Sequence, residues 1–156
     1  MPRRIVVVLL LLAATTGCMA RIDGDSAVYH GTTGPAVLVT WCGRPSTMYV
    51  DLGVWEDDTT WRDQARFRLV SVPAETVPFE VASPGPSWRL ESGDPTLSAG
   101  VQYTVYPSYE GGDGAFEPTT FTVEEVTALT PGQVLTGRSG VVKKRSTYLA
   151  EDRTYC

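Results

Sequence analysis

The chain has little of what catalysis and metal binding usually need. It holds a single histidine, His30, and three cysteines among 156 residues. A serine hydrolase triad would have to use that histidine, and isolated cysteines with one histidine lack the spacing of a zinc site. There is no G-x-S-x-G turn and no glycine-rich phosphate loop. We therefore expect no enzymatic activity, no cofactor and no bound metal.

Basic residues are also scarce. Lysine and arginine number 13 against 18 acidic residues, which gives a formal net charge of −5. Nucleic-acid binding depends on basic side chains that neutralise phosphates. The charge balance therefore argues against a nucleic-acid partner.

Long apolar runs are missing except near the start. Arg3 and Arg4 precede ten apolar residues, 5–14, whereas a membrane-spanning helix needs about 20. The small residues 15–17 follow. A charged start, an apolar middle and a small-residue end are typical of an export signal. The pattern predicts a signal peptide over residues 1–17.

Cys18 stands directly after these small residues. This arrangement resembles the lipobox of bacterial lipoproteins, although Thr15 occupies the position where that motif usually has leucine. The resemblance implies cleavage before Cys18 and attachment of a diacylglycerol to its thiol, often with a further amide-linked acyl chain such as palmitate. Such an anchor would hold the protein on the extracytoplasmic face of the cell membrane. The alternative is an ordinary signal peptide cut nearby. As a whole the chain resembles small lipoproteins of high-GC Gram-positive (actinobacterial-type) bacteria, a likeness that implies no activity.

An odd cysteine count in an exported protein needs an explanation. If Cys18 carries lipid, Cys42 and Cys156 remain, and an oxidising compartment would let them pair. The predicted bridge would close a loop of about 115 residues and stabilise the fold by roughly 5 kcal/mol at most. Two free thiols are the alternative.

The remaining residues predict one all-β domain. Residues 18–35 have no clear period and include glycines, so we expect a flexible lipidated tether. From residue 36 apolar and polar residues alternate, as they do in strands. About seven short strands between 36 and 126 predict a β-sandwich. Residues 127–156 are expected to form a C-terminal extension with a short helix from Ser146, held back by the disulfide.

Residues 36–126 resemble a fibronectin type III or related immunoglobulin-like domain. Val39-Thr40-Trp41 resembles the second strand of that family with its core tryptophan, and Leu97, Gly100 and Tyr103 have the spacing of its tyrosine corner. The resemblance implies that the ring of Tyr103 is buried and that its hydroxyl bonds to nearby backbone.

Aromatic residues are the candidate binding residues. Trp55 and Trp61 flank an acidic loop, and Tyr106, Tyr109 and Phe116 flank a glycine-rich one. Exposed rings can stack on sugars or anchor a protein interface, whereas rings that cap the sandwich ends would be purely structural. We expect a non-catalytic interaction or envelope-structural module with an envelope protein as partner. The alternative is a module that binds cell-wall glycan through Trp55, Trp61 and Tyr109.

Overall fold

The strands come from stretches in which apolar and polar residues alternate, because that period turns one side of a strand toward a core. A computed structural model of the chain describes residues 22–42, 47–70, 76–110 and 115–152. In chain order its elements are β1 (Ile22–His30), β2 (Pro35–Trp41), β3 (Met48–Trp55), β4 (Trp61–Leu69), β5 (Phe79–Glu80), β6 (Trp88–Gly93), β7 (Tyr103–Tyr109), β8 (Ala115–Glu117), β9 (Thr119–Phe121), α1 (Val123–Thr127), β10 (Gln133–Thr136), β11 (Val141–Lys144) and α2 (Arg145–Asp152).

These strands form two sheets. The first has the order β11-β10-β1-β2-β5, and β8 runs parallel to the start of β1. The second has the order β6-β4-β3-β7-β9 and is antiparallel throughout. The predicted all-β sandwich with a short C-terminal helix is confirmed, and it is compatible with an immunoglobulin-like architecture. The described residues contain more strands than the seven expected.

The main core lies between the two sheets. Trp41, Phe67, Trp88 and Phe121 are among its almost fully buried side chains. A second, smaller cluster lies on the outer side of the first sheet, where Tyr148 of α2 packs on Ala27, Leu38 and Val134. Because of this cluster β2 is buried on both faces.

The tyrosine corner expected from the sequence is present. Tyr103 is 2% exposed, and its hydroxyl accepts a hydrogen bond from the backbone N–H of Ser98 at 2.8 Å. This bond ties the segment before β7 to the strand itself.

The prediction of a flexible tether over 18–35 is wrong for residues 22–30. They form β1, which pairs with β2 along its length from Gly24 to His30 and with β8 and β10 on its other side. Ala27 and Val28 are fully buried. The apolar residues of this segment, Ile22, Ala27, Val28 and Tyr29, do not alternate with polar ones, so the strand depends on pairing with distant segments.

Residues 127–156 are also more than an extension held against the sandwich. β10 pairs with β1, and β11 continues the sheet as its edge strand. The C-terminal helix begins at Arg145, one residue before the predicted cap, and buries Tyr148. The segment therefore completes the first sheet and covers part of its outer face.

Several predicted features fall outside the described residues. The signal peptide, Cys18 and Cys156 belong to this group. Cys42 is disulfide-bonded, but its pairing with Cys156 stays a prediction because Cys156 is not among the described residues. None of the helices in the described ranges has the length and apolar character to cross a membrane.

Candidate binding groove

The outer face of the second sheet carries aromatic side chains. Val50 and Leu52 of β3 and Val105 of β7 point into the core, so the alternate residues Asp51 and Tyr106 face outward. These two residues are directly paired across the strands. At the end of β3 the outward position is Trp55, which is paired with Trp61 at the start of β4. Strand alternation thus gathers three aromatic rings on one surface.

Trp55 and Trp61 form an edge-on pair. Their ring centroids are 5.2 Å apart and their planes are inclined by 62°. Trp55 is 45% exposed, whereas Trp61 is half-buried. The Nε1–H of Trp61 donates a hydrogen bond to Oδ1 of Asp63 at 2.5 Å. The ring of Trp55 is therefore accessible to a ligand, and it packs against the ring of Trp61, which is held by its hydrogen bond to Asp63.

Gly53 creates the space in which the Trp61 ring lies. A β-carbon at Gly53 would be 2.4 Å from Cζ2 of Trp61 and 2.5 Å from the carbonyl oxygen of Arg62. Only glycine permits this approach, since carbon atoms in contact normally stay about 3.5–4.0 Å apart. The residue sits where the β3–β4 register shifts, and such bulges reorient side chains.

A groove runs beside these rings. It consists of a cavity of about 390 Å³ and a second of about 370 Å³, which share Trp55, Tyr106 and Arg138. We call this surface the aromatic groove; its lining comprises Asp51, Trp55, Asp57, Asp58, Trp61, Gln102, Thr104, Tyr106, Pro118, Thr120 and Arg138. Tyr106 is 39% exposed, so two rings of the lining are open to a ligand.

Arg138 reaches the groove from the turn between β10 and β11, in the other sheet. Hydrogen bonds on both sides of Gly137 fix this turn. Its N–H donates to Oγ1 of Thr119 at 3.2 Å, and its carbonyl accepts from the N–H of Thr120 at 3.2 Å. The groove is therefore assembled from both sheets.

Asp51 lines the groove, and its charge is balanced there by an ion pair. The Nε of Arg66 is 3.0 Å from Oδ1 of Asp51, and the same guanidinium lies over the ring of Tyr49, 4.8 Å from its centroid. Burial raises the pKa of Asp51, and the positive charge of Arg66 opposes that rise. The ion pair leaves little net charge at this point.

Asp57 shapes the loop between Trp55 and Trp61. Its carboxylate accepts hydrogen bonds from the backbone N–H and the hydroxyl of both Thr59 and Thr60, at 2.8–2.9 Å. These bonds lower the pKa of Asp57 from 3.8 to about 2, because they favour the ionised form. The carboxylate of Asp57 therefore stabilises the loop that connects Trp55 to Trp61.

Asp58 and Arg138 differ from the other charged groups near the groove. In the described part of the chain no hydrogen bond or ion pair engages either side chain. Arg62, Arg66 and Arg68 on the outer face of this sheet are paired instead, Arg62 with Glu56 at 2.8 Å. One carboxylate and one guanidinium are therefore available to a ligand.

The structure brings together two of the three aromatic residues named from the sequence. Trp55 and Trp61 lie in the groove, but Tyr109 faces the core side of β7 and contacts Phe116, with ring centroids 5.7 Å apart. The third aromatic residue of the groove is Tyr106 instead of Tyr109. Alternation along β7 could have indicated this exchange, because buried Tyr103 sets which residues face outward. Arg138 had no local signal, since it comes from a distant turn.

No other site emerges from the described residues. His30 ends β1 in the first sheet and is exposed, and no group of three or more histidine, cysteine or acidic side chains could hold a metal ion there. Comparison of the chain with protein-family models, curated proteins and solved structures finds no match. Any assignment of function therefore depends on the chain's own residues and geometry.

Proposed function

We propose that the protein is a non-catalytic binding module, held on the extracytoplasmic face of the cell membrane by a lipid on Cys18, and that the aromatic groove is its binding surface. The signal-like sequence and the lipobox resemblance support the location. The exposed rings support the binding role, since rigid aromatic side chains on a scaffold provide much of the binding energy at interfaces.

The observation that carries this proposal is the uneven use of the four tryptophans. Trp41 and Trp88 are 3% and 2% exposed and fill the core, whereas Trp55 and Trp61 lie on the outer face of a sheet. An exposed tryptophan costs hydrophobic stabilisation that burial would provide. Its placement beside a groove with available polar groups fits a binding site better than a packing role.

The short segment between Cys18 and β1 limits how far a lipid on Cys18 could lie from the domain. β1 begins four residues after Cys18, so the connecting segment spans about 14 Å at most. The start of β1 lies next to Phe116, which contacts Tyr109, and Tyr109 pairs with Met48 at the start of β3.

Trp55 lies at the other end of β3, about 23 Å further along at the usual rise of a strand. A lipid on Cys18 would therefore lie nearer to Met48 than to Trp55, while Pro118 of the groove lining follows Glu117, which pairs with Asp25 of β1.

Two classes of partner suit this surface, an envelope protein and a cell-wall glycan. The glycan candidate is favoured by one observation, the position of Asp58 and Arg138 beside exposed Trp55 and Tyr106. Rings can stack on the apolar faces of sugars, while a carboxylate and a guanidinium can accept and donate hydrogen bonds at the hydroxyl edges.

Retention on isolated cell envelopes tests the proposal. The full-length protein, purified in detergent, is incubated with envelope material and sedimented, in parallel with Trp55→Ala and Val142→Ala. Val142 is an equally exposed apolar residue on β11 and is not part of the groove lining. We expect the wild type and Val142→Ala to be retained and Trp55→Ala to be released. Equal retention of all three proteins, or a hydrolase activity that co-purifies with the wild type, would contradict the proposal.

A further inference from the structure

The shape of the ring arrangement restricts the kind of ligand. A flat crystalline polysaccharide would need a row of coplanar rings, but the planes of Trp55 and Trp61 are inclined by 62°. The two rings form a corner beside a cavity of about 390 Å³. This arrangement fits a single sugar chain. A sugar ring can stack its face on Trp55 while its edge contacts the other residues that line the cavity.

The charges of the groove also restrict the ligand. Asp51 is paired with Arg66, and the carboxylate of Asp57 is filled by hydrogen bonds from its own loop. Asp58 and Arg138 are left as one acceptor group and one donor group of opposite charge. Their charges are equal and opposite. A polyanion would be attracted by Arg138 and repelled by Asp58, and a polycation the reverse, so neither gains net electrostatic binding energy.

We infer that the aromatic groove binds a single, uncharged polysaccharide chain, with a sugar ring stacked on Trp55 and Tyr106 and its hydroxyls bonded to Asp58 and Arg138. The inference rests on the proposed function, because it names the ligand class of the same surface. The ligands are then single polysaccharide chains in solution, and not the packed surfaces of crystalline polysaccharides.

Calorimetric titration with soluble hexasaccharides tests the inference. The uncharged probes are chitohexaose, cellohexaose and maltohexaose, and the charged probes are the chitosan hexamer and a hyaluronan hexasaccharide. Depletion by crystalline chitin and crystalline cellulose measures binding to packed surfaces. We expect the full-length protein to bind at least one uncharged hexamer and to bind the charged and crystalline probes at least about tenfold more weakly.

Variants locate the contacts. Trp55→Ala should weaken binding of the uncharged hexamer by about tenfold or more, as truncation of a central aromatic does. Asp58→Ala and Arg138→Ala should each weaken it by about tenfold, since each removes hydrogen bonds to a charged group. Arg89→Ala is the matched control, because Arg89 is exposed on β6 away from the groove lining.

Two results would overturn the inference and leave the proposed function intact. One is Trp55-dependent retention on envelopes with no binding to any uncharged hexamer. The other is tighter binding to a charged or crystalline probe. Retention that does not depend on Trp55 would instead remove the proposed function, and the inference with it.

Discussion

Replacement of Gly53 by alanine should disturb the aromatic groove without touching a ligand. The new methyl group would lie 2.4 Å from Cζ2 of Trp61 and 2.5 Å from the carbonyl oxygen of Arg62. Because carbon atoms in contact stay about 3.5–4.0 Å apart, the indole must retreat by about 1 Å or more. That movement strains the hydrogen bond from Trp61 to Asp63 and the edge contact with Trp55.

The expected cost is about 1–3 kcal/mol of folding free energy, the range observed when a methyl group is forced into a packed position. Urea unfolding followed by circular dichroism measures it. Ser108→Ala, a substitution to alanine on the same outer face at the other end of β7, should change the free energy of unfolding by no more than about 0.5 kcal/mol.

A double-mutant cycle separates the ring from the backbone. In a Trp61→Ala background the clash with the indole is gone, while the contact with the carbonyl of Arg62 remains. Gly53→Ala should then cost less, with a coupling energy of at least about 0.5 kcal/mol. An equal cost in both backgrounds would show that the indole does not lie on Gly53, and it would refute this account of how the groove is built.

Three further predictions concern the corner, the loop and the anchor. Tyr103→Phe should lower the free energy of unfolding by about 1 kcal/mol, because the hydrogen bond to its hydroxyl is lost. Tyr106→Phe is the control and should have little effect. Equal losses of the two variants in urea titrations would contradict this prediction. The carboxyl carbon of Asp57 should titrate near 2 by NMR, so its stabilisation of the loop is complete above about pH 4 and is lost as the pH falls through 2; a midpoint of 3.8 would contradict it. The intact mass of the membrane-bound protein should equal residues 18–156 plus at least a diacylglycerol on Cys18, two hydrogens lighter before reduction; an unlipidated mass would refute the anchor.

Much of the fold follows from local sequence pattern. The alternation that begins at residue 36 predicted strands in the region where β2 and β3 form. The corner at Tyr103 was predictable because it depends on residues five apart, Ser98 and Tyr103. Short-range signals of this kind survive in the folded protein whenever the tertiary contacts agree with them.

β1 could not be predicted because its stability comes from distant partners. β1 is stabilised by β2, by β8 and by β10, more than 100 residues away along the chain. Its own apolar residues are Ile22, Ala27, Val28 and Tyr29, which do not alternate with polar ones. A segment with so weak a period looks like a linker until its neighbours are known.

The sequence predicted that the candidate site is built from exposed aromatic residues, but it did not predict which residues form it. The sequence indicated exposed aromatics around Trp55 and Trp61, yet the third ring is Tyr106 and not Tyr109. Arg138 enters from a turn of the opposite sheet, so its role depends on how the two sheets pack. Which charged groups remain available depends on ion pairs that no sequence pattern reports.

The indole N–H signals of the four tryptophans provide the most direct test of the central claim, that the aromatic groove is the binding surface. Two-dimensional NMR of the full-length protein in detergent micelles would be recorded before and after addition of soluble glycan released from isolated envelopes. If the aromatic groove is the binding surface, the signals of Trp55 and Trp61 will shift, while those of buried Trp41 and Trp88 will stay in place. Shifts at Trp41 and Trp88 alone, or no shift at Trp55 under conditions in which the glycan is bound, would contradict it.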